Sequence, residues 1–244
     1  MKRIICAVLA GALCVTAALS LSGCGCSRNN SEPGYTVEAT EPDLRDGDFG
    51  YYVINKNELM ITEYKGTDKT IEIPETYKDY TITSIGSFVF DSCEAESITM
   101  PDTIKSIGDY AFASSKNLKS IKLSKNLETL GSNSFFFCRN LEEIELPASI
   151  KYLGIYTFSG TGLKSVTIPE SETLTEIDSY VFYQCSNLTE VTIPKTITKM
   201  EPNVFSDSKS PITVKGSSGS YAEEYVKEFG QDKENLNNLV FEAQ

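Results

Sequence analysis

Two glutamates on one predicted strand have the spacing of a possible acid–base pair. Glu143 and Glu145 are separated by one residue in the stretch LEEIEL, so both side chains leave the same face of an extended strand. Paired carboxylates perform general acid–base chemistry in glycosidases. That chemistry needs a pocket that shifts the pKa of one carboxyl group, and an open strand face does not provide one. We therefore interpret the pair as solvated and expect any partner to be polar or basic.

Three cysteines recur at one position of a repeating pattern, which is one way to build a metal or redox site. Cys93, Cys138 and Cys185 each lie three residues after a phenylalanine, in alternate repeats. Neighbouring strands are about 4.8 Å apart, so alternate repeats are about 10 Å apart. A disulfide needs Cα atoms within about 7 Å. We predict that these thiols do not pair and that they fill small buried spaces. The other repeats carry small residues at the same position: Ser115, Thr161 and Ser208.

A group of aspartates near the N-terminus suggests a calcium site at first sight. Asp43, Asp46 and Asp48 lack the alternating acidic positions and the closing glutamate of a calcium loop. The surrounding residues 25–48 are polar and contain Gly, Pro, Ser and acidic residues. We predict a flexible, solvated tether here rather than a metal site.

Composition excludes several functional classes. The chain has no histidine, which excludes catalytic triads and metal sites built on histidine. Its net charge of −12 argues against nucleic-acid partners and against attraction to anionic lipid. The sequence contains no Gly-rich phosphate loop, Gly-x-Ser-x-Gly or Cys-x-x-Cys motif. We predict no catalytic residue, no cofactor and no bound metal.

An internal repeat positions these residues. Six aliphatic residues each precede a phenylalanine by five positions, and their successive spacings are 22, 23, 23, 24 and 23 residues. The aliphatic residues are Ile85, Ile107, Leu130, Leu153, Ile177 and Met200. The phenylalanines are Phe90, Phe112, Phe135, Phe158, Phe182 and Phe205. The constant offset predicts that insertions fall in loops and not between core contacts.

Each repeat also contains a short strand. Leu141, Ile144 and Leu146 show the Leu-x-x-Ile-x-Leu pattern, in which alternate residues turn inward. Proline often follows and shortens the strand, because it cannot donate to a ladder. One repeat cannot bury its own apolar face, so stacked repeats must share a continuous core. The phenylalanine would lie on the returning arm, carried into the core by a short helical or 3₁₀ turn.

The pattern resembles the BspA-like leucine-rich repeats of bacterial surface proteins. It stands here as IGDYAFASSKNLKSIKLS, LGSNSFFFCRNLEEIELP and IDSYVFYQCSNLTEVTIP, the first without Cys and Pro and the second with Asn133 in place of Tyr. The resemblance covers about residues 71–214. It implies an α/β leucine-rich-repeat solenoid of mostly short parallel β-strands, short helical or 3₁₀ turns and a C-terminal cap helix. It also implies an extracellular solenoid of the kind associated with adhesion or surface binding.

The repeats divide the chain into five predicted segments. These are a lipoprotein signal peptide (1–23), a lipidated cysteine with its tether (24–48), an N-terminal capping unit (49–84), the repeats (85–214) and a C-terminal cap (215–244). In the cap, an amphipathic stretch from Tyr221 to Phe229 predicts a helix, with Ser220 as N-cap and Gly230 as the stop. A last strand, NLVFEA, follows.

The N-terminus has the features of a secretion signal. A basic MKR precedes an apolar run rich in small residues, for which a plain transmembrane helix is the alternative. Leu21-Ser22-Gly23-Cys24 resembles the bacterial lipobox, in which the cysteine becomes lipidated and forms the new N-terminus. The resemblance implies that Cys24 anchors the chain to the outer face of the bacterial cytoplasmic membrane, at the cell surface. Cys26 follows in the tether, either free or modified.

The outward residues of the predicted strands form the candidate binding face. The row is polar, contains no aromatic residue and is most acidic at its centre. Its members are Ser97, Thr99, Ser120, Lys122, Glu143, Glu145, Ser165, Thr167, Glu190 and Thr192.

A row of aromatic residues two positions before the phenylalanines is a second candidate. Tyr110, Tyr156 and Tyr180, with Phe88 in the first repeat, could grip a carbohydrate or a protein, but such rows more often pack between neighbouring coils. Phe136 and Phe137 follow Phe135 directly, and the three cannot all point inward. We expect one of them at the surface.

These observations predict a cell-surface lipoprotein whose solenoid is a non-catalytic binding or adhesion scaffold for an extracellular protein or glycan. The alternative is a structural or assembly factor of the bacterium's own envelope. A glycan hydrolase is a third hypothesis, and it would need a pocket that the pattern does not predict.

Overall fold

The computed structural model describes residues 41–208, 211–231 and 238–244. The predicted signal peptide, the lipidation site Cys24 and residues 25–40 of the predicted tether lie outside the described residues. Within the described ranges, no helix is both long and apolar enough to cross a membrane.

The N-terminal unit is a small sheet that continues into the solenoid. The unit contains β1 (Leu44–Asp46), β2 (Phe49–Val53), β3 (Glu58–Tyr64), β4 (Thr70–Glu72), β5 (Thr76–Tyr77) and β6 (Tyr80–Ile85). All of these except β4 belong to the small sheet. β1, β2 and β3 pair antiparallel in sequence order, and β5 pairs antiparallel with β6. β3 and β6 are parallel, so the sheet changes at β3 from hairpin pairing to the parallel pairing of the repeats.

The folded region begins earlier than the predicted boundary at residue 49. β1 lies inside the predicted tether, and Arg45 forms an ion pair with Glu63 of β3. Asp43 Oδ2 accepts a hydrogen bond from the backbone N–H of Val53 at 3.0 Å. The polar composition around residue 45 therefore belongs to a hairpin. Asp-Gly is a hairpin turn signal, and Gly47 has a left-handed φ of 54° at the β1–β2 connection.

The repeats, which we number 1 to 6 from Phe90 to Phe205, stack as a parallel β-solenoid. One column of strands continues from β4 as β7 (Ser97–Thr99), β9 (Ser120–Lys122), β12 (Ser165–Thr167), β14 (Glu190–Thr192), β16 (Ile212–Gly216) and β17 (Leu239–Ala243). A second column continues from β6 as β8 (Ser106–Ile107), β10 (Thr129–Leu130), β11 (Tyr152–Leu153), β13 (Glu176–Ile177) and β15 (Lys199–Met200). The strand pairs within both columns are parallel.

The six repeated phenylalanines form a continuous stack in the core. Each is buried, and neighbouring ring centroids lie 5.1 to 5.7 Å apart with the planes within 13° of parallel. Aliphatic side chains from both strand columns pack around them in one cluster. The constant offset seen in the sequence reflects this stack, because every repeat must deliver a ring at the same height in the coil.

The arm that carries each phenylalanine consists of single 3₁₀-type turns and is not a continuous helix. In repeat 1, the N–H groups of Asp91 and Cys93 donate to the carbonyl oxygens of Phe88 and Phe90, both at 3.2 Å. In repeat 1, the N–H groups of Phe90 and Ser92 donate to the carbonyl oxygens of Ala111 and Ala113 in repeat 2, both at 2.7 Å. Phe88 and Ser92 have left-handed φ angles of 62° and 57°. Every second N–H of the arm, including that of Phe88, therefore donates to the next repeat, whereas a continuous helix would direct all of these groups along its own chain.

A column of glycines allows the second strand column to stack closely. A Cβ atom on Gly131 would lie 2.6 Å from the backbone nitrogen of Asp109, and one on Gly154 would lie 2.4 Å from that of Ser132. Repeat 5 carries Asp178 at this position. β11 and β13, which precede Gly154 and Asp178, do not pair with each other. The column is therefore interrupted between repeats 4 and 5. Repeat 6 carries Glu201 at this position, and β13 and β15 still pair, so the absence of glycine alone does not explain the interruption.

The helix and last strand predicted for the C-terminus are confirmed. α1 (Tyr221–Phe229) begins after Ser220, which has extended backbone angles, and ends at Gly230. The hydroxyl group of Ser220 makes no capping hydrogen bond. Tyr225 is buried and its ring lies 6.2 Å from that of Phe205, so α1 covers the end of the phenylalanine stack.

Candidate functional site: the strand face

The strand face is the outward side of the first strand column, and it carries all ten candidate residues. In β9, Ile121 points into the core while Ser120 and Lys122 are exposed. β12 repeats this pattern, with Val166 buried between two exposed neighbours. Each of the ten candidate residues is at least partly exposed. That this row binds a partner stays a prediction.

Register pairing places candidate residues of adjacent repeats side by side in two groups. Ser97 lies opposite Ser120 and Thr99 opposite Lys122 in one group. In the other group, β12 and β14 pair Ser165 with Glu190 and Thr167 with Thr192. Glu143 and Glu145 lie between the two groups in sequence order and belong to neither sheet.

The strand ladder is interrupted in repeat 3, at the segment 143–146. This segment has no strand assignment, and β9 before it and β12 after it belong to separate sheets. Among the described residues, no backbone N–H or carbonyl group of the four residues bonds to another backbone group. The adjacent backbone bond that remains runs from the N–H of Lys164 to the carbonyl oxygen of Glu142, at 3.1 Å.

The interruption changes the burial of one core position. The central strand residues of the other repeats are nearly inaccessible: Ile98 (1% exposed), Ile121 (9%), Val166 (3%) and Val191 (0%). Ile144 holds the equivalent position in repeat 3 and is only partly buried. An aliphatic side chain therefore borders solvent at the interruption.

An open groove of about 1020 Å³ lies over the interruption. Glu143, Ile144 and Glu145 line it, and it extends to Ser120 of β9 on one side and to Thr167 of β12 on the other. The groove thus combines backbone without ladder partners, one aliphatic side chain and two exposed carboxylates. Such a surface suits an extended polar ligand better than a reaction that needs an enclosed carboxyl group.

Lysine–carboxylate pairs connect adjacent repeats beside the strand face. Lys119 Nζ lies 2.6 Å from a carboxylate oxygen of Glu96 in the preceding repeat. Lys122 and Glu145 hold equivalent positions in repeats 2 and 3, yet in the described part of the chain neither forms an ion pair. The carboxylates of Glu143 and Glu145 therefore line the groove without a lysine partner among the described residues.

The environments of Cys93, Cys138 and Cys185 indicate that these thiols pack inside the fold and do not react. They form no disulfide with one another, as predicted. Cys138 and Cys185 are fully buried, and burial raises the pKa of the Cys138 thiol to about 12 and that of Cys185 to about 11. Burial also raises the pKa of the Cys93 thiol. Thiols with raised pKa values are poor nucleophiles and poor metal ligands at neutral pH.

The aromatic row packs between neighbouring repeats, as predicted. The rings of Phe88 and Tyr110 lie parallel with centroids 4.9 Å apart, and those of Tyr156 and Tyr180 lie 4.6 Å apart. Asn133 interrupts the row in repeat 3. Phe88, at the N-terminal end, keeps 48% of its surface exposed.

Phe136 and Phe137 share the surface position that was expected for one of them. Both are partly buried, with ring centroids 4.2 Å apart. The guanidinium of Arg139 lies 4.9 Å from the Phe137 ring centroid and covers it. The exposed part of the Phe137 ring is therefore partly shielded by a cation–π contact.

No set of three or more histidine, cysteine or acidic residues in the described ranges is arranged to hold a metal ion. Asp43 instead serves as a hydrogen-bond acceptor within the N-terminal unit.

A family model supplies the assignment. Six copies of the BspA type leucine rich repeat region match residues 83–212, more than half of the chain. The chain belongs to this family. No curated protein matches the sequence.

Solved structures of bacterial leucine-rich-repeat proteins share the fold. The T. pallidum leucine rich repeat protein TpLRR is 18% identical with a TM-score of 0.60, over 82% of this chain and 99% of that one. A leucine-rich repeat protein from Bacteroides ovatus is 26% identical with a TM-score of 0.62, over 71% of this chain and 47% of that one. The pneumococcal vaccine antigen PcpA is 20% identical with a TM-score of 0.58, over 86% of this chain and 52% of that one.

The BspA-type pattern predicts the outward row but not the interruption within it. The loop lengths of repeat 4 differ from those of repeat 3, and this difference could have indicated the interruption. Repeat 4 has one residue fewer between Phe158 and Leu163 than the preceding repeat has, and two more between Ile168 and Leu174. The shorter stretch precedes the strand of repeat 4 that follows the segment 143–146, and the longer stretch precedes β13, which does not pair with β11.

Proposed function

We propose that this chain is a non-catalytic scaffold at the bacterial cell surface that binds an extracellular protein or glycan through the strand face. The observation that carries the proposal is the open groove at residues 143–146, where exposed carboxylates and backbone groups without ladder partners lie together. The remaining outward residues extend this surface over neighbouring repeats.

The solenoid gives such a face a fixed geometry. Backbone hydrogen bonds between repeats and the phenylalanine stack hold the strands at constant spacing. Outward side chains on these strands therefore need little ordering when a partner binds, which lowers the entropic cost of association. This supports a binding role that depends on a preformed surface rather than on mobile loops.

The membrane attachment in this proposal comes from Cys24. A lipidated cysteine at the mature N-terminus would hold the solenoid near the outer face of the cytoplasmic membrane. Mass spectrometry of the N-terminal peptide tests this directly. Acyl groups on Cys24, and release of the protein from membranes by Cys24→Ala, are expected, whereas an unmodified Cys24 in membrane-bound protein contradicts the anchor.

The binding experiment uses purified protein and three immobilised sets of material. These are wall polymers, host matrix and mucin glycoproteins, and surface extracts of the producing cell. The Glu143→Lys/Glu145→Lys variant reverses the charge of the groove. The Glu224→Lys/Glu228→Lys variant makes the same charge change on α1, outside the strand face, where both residues are exposed, and serves as the matched control.

The outcomes separate the hypotheses. Binding to host material that is lost only in the groove variant supports adhesion through the strand face. Binding only to wall polymers or to the cell's own surface proteins supports the envelope role instead. Binding that both variants retain contradicts the strand face as the site.

A further inference from the structure

We propose that a cleft between repeats 4 and 5 binds a neutral pyranose ring of a surface glycan, with the ring of Tyr152 as its stacking platform. The cleft lies over the second strand column and not on the strand face, so the inference goes beyond the proposed function and does not depend on it. Three properties lead to it: an opening between the two repeats, an exposed aromatic ring at its margin, and a lining of mixed hydrogen-bond donors and acceptors.

The first property is an opening between repeats 4 and 5 in the second strand column. Elsewhere in this column, a backbone bond joins adjacent repeats just before the strand. The N–H of Lys151 donates to the carbonyl oxygen of Glu128 at 2.8 Å, and the N–H of Thr198 donates to that of Thr175 at the same distance. Among the described residues, the equivalent bond from Thr175 to Lys151 is absent, and β11 and β13 do not pair. A cleft of about 300 Å³ lies at this opening, a volume at the lower end of the range for small-molecule sites.

The opening is confined to the second strand column. β12 and β14 of the same two repeats pair in continuous register. In the arms, the N–H of Phe158 donates to the carbonyl oxygen of Val181 at 3.0 Å, and the rings of Phe158 and Phe182 remain stacked. These contacts hold the walls of the cleft in place, so a ligand does not have to order them when it binds.

The second property is the exposure of Tyr152 at the margin of the cleft. Tyr152 is 45% exposed, and within the described ranges its ring stacks on no other aromatic ring. The repeat itself does not need an aromatic residue at this outward position, because the equivalent residues are Ser84, Ser106, Thr129, Glu176 and Lys199. The ring is therefore available to a ligand. A pyranose ring can place its C–H groups against the aromatic face while its hydroxyl groups stay at the edges.

The third property is the mixture of charges and hydrogen-bonding groups in the lining. Lys199 Nζ lies 3.4 Å from a carboxylate oxygen of Glu176 and 3.0 Å from one of Glu201, so these charges largely neutralise one another. Lys151 pairs in the same way with Glu128 of repeat 3. A lining that combines cationic donors with anionic acceptors favours a neutral ligand whose hydroxyl groups both donate and accept. The charged residues of the lining are Lys151, Glu176, Asp178, Lys199 and Glu201.

Backbone groups and the hydroxyl group of Tyr152 add to this lining. The carbonyl group of Lys151 and the N–H of Thr175 border the cleft, and neither bonds to another backbone group in the described part of the chain. Such groups normally find a partner, and a sugar hydroxyl can bond to either. Burial, together with the carboxylates of Asp178 and Asp109, raises the pKa of Tyr152. Its hydroxyl group therefore stays protonated at neutral pH and can donate.

A neutral sugar fits these features better than a basic side chain does. An arginine could stack on Tyr152 and pair with Asp178. The two lysines at the cleft oppose the approach of a cation, however, and a guanidinium has donors but no acceptor for the N–H of Thr175. Arginine binding is therefore the competing outcome of the experiment.

Saturation-transfer difference NMR of the purified protein tests binding with three neutral probes. These are methyl β-D-glucopyranoside, methyl β-D-galactopyranoside and methyl N-acetyl-β-D-glucosaminide. At least one probe is expected to bind with a Kd on the order of 1–10 mM, the scale for one stacked ring with a few hydrogen bonds. The strongest transfer is expected at the C–H protons of one ring face. If none of the three binds at concentrations of about 10 mM, the proposal is wrong.

Variants of Tyr152 locate the site and identify stacking. Tyr152→Ala is expected to weaken binding of the probe at least about tenfold, whereas Tyr152→Phe keeps the ring and should stay within about threefold. Tyr52→Ala is the matched control, because Tyr52 is 46% exposed on β2 and remote in sequence from the cleft. It should change the affinity by less than about twofold. Equal losses in the two alanine variants, or unchanged affinity in Tyr152→Ala, would overturn the assignment.

Hydrogen exchange locates the ligand without a substitution. The bound probe is expected to slow exchange of the Thr175 amide at least about threefold and to leave that of Thr198, which is already bonded to Thr175, within about 1.5-fold. Equal protection of both amides by the probe would indicate general stabilisation and not contact at the cleft.

Two further measurements separate this inference from its alternatives. Raising NaCl from about 0.05 M to about 0.5 M should leave the sugar affinity within about twofold, because a neutral ligand is not screened. If Nα-acetyl-arginine amide binds through Tyr152 and the sugars do not, the cleft accepts a cation and the inference is wrong. The Glu143→Lys/Glu145→Lys variant should bind the sugar probes as well as the unmodified protein does, so failure of the strand face leaves this result intact.

Discussion

The thiol of Cys138 donates a hydrogen bond to the carbonyl oxygen of Phe112, 3.0 Å away in the preceding repeat. Cys185 makes the same bond to Phe158 at 3.1 Å, and the hydroxyl group of Ser115 takes this role toward its own preceding repeat. At the position three residues after the phenylalanine, a small side chain that donates a hydrogen bond therefore satisfies the phenylalanine carbonyl group of the preceding repeat. Cysteine and serine both meet this requirement, which explains why they exchange freely there without any redox role.

Substitutions of Cys138 distinguish the contribution of its hydrogen-bond donor from that of its side-chain volume. Cys138→Ser keeps a donor near the Phe112 carbonyl, whereas Cys138→Ala removes it and leaves the N–H of Ser115 as the neighbouring donor. We expect the alanine variant to be about 1 kcal/mol less stable than the serine variant, the typical net value of one buried hydrogen bond. Urea unfolding followed by circular dichroism measures the difference. An alanine variant as stable as the serine variant would show that the position requires only a small volume.

The buried thiols also predict a loss of stability in alkaline solution. Burial raises the folded pKa of Cys138 to about 12 and that of Cys185 to about 11, above the ordinary thiol value of 9.0. Groups whose pKa is raised on folding stabilise the fold below the unfolded pKa, and this contribution is lost as the pH rises toward the folded value. Between about pH 9 and 10, ionisation of each thiol in the unfolded chain should lower the free energy of unfolding by about 1 kcal/mol.

The control for the alkaline effect is the Cys138→Ser/Cys185→Ser variant, which has no thiol at these two positions. Its unfolding free energy should change less steeply between pH 8 and 10 than that of the unmodified protein. Parallel pH profiles for the two proteins would exclude the thiols as the cause.

The phenylalanine stack makes a prediction about the core. Phe135 is fully buried, and its ring lies 5.2 Å from Phe112 and 5.6 Å from Phe158. Phe135→Ala is expected to destabilise the protein by about 3–5 kcal/mol, because it leaves a cavity at the centre of the solenoid. Phe88→Ala is the matched control, since Phe88 is 48% exposed and stacks on Tyr110 at the edge. It should cost less than about 1.5 kcal/mol. Thermal unfolding of both variants checks the ranking, and similar losses would contradict a core organised around the stack.

The sequence predicts those features that depend on periodicity. The constant distance from Ile85 to Phe90 and its five repetitions identify the core column, because each stacked repeat must place the same side chain at the same height. The alternation in Leu-x-x-Ile-x-Leu likewise identifies Ser120 and Lys122 as outward residues, because strand side chains alternate.

Features that depend on contacts between repeats could not be predicted in this way. The left-handed φ of Phe88 arises because amides of the arm bond to the next repeat, and no local propensity of phenylalanine favours that conformation. The interruption at residues 143–146 depends on how repeats 3 and 4 fit together. The LEEIEL stretch alone predicts an ordinary strand.

A glycine at the junction of repeats 3 and 4 provides a test of that fit. Gly162 donates its N–H to the carbonyl oxygen of Cys138 at 3.3 Å, beside the Lys164–Glu142 backbone bond. A Cβ atom at Gly162 would lie 2.2 Å from the carbonyl oxygen of Arg139. Gly162→Ala should therefore force the two repeats apart, lower the free energy of unfolding by about 1–3 kcal/mol and speed hydrogen exchange at Lys164.

Gly219→Ala is the control for this substitution. A Cβ atom there meets no atom within 4 Å, although φ is +74°, so the expected loss is the conformational penalty of about 1–2 kcal/mol without faster exchange at Lys164. Exchange at Lys164 therefore distinguishes a steric wedge at the junction from a general loss of stability. If Gly162→Ala leaves that amide as protected as in the unmodified protein, close backbone contact at Gly162 does not hold repeats 3 and 4 together.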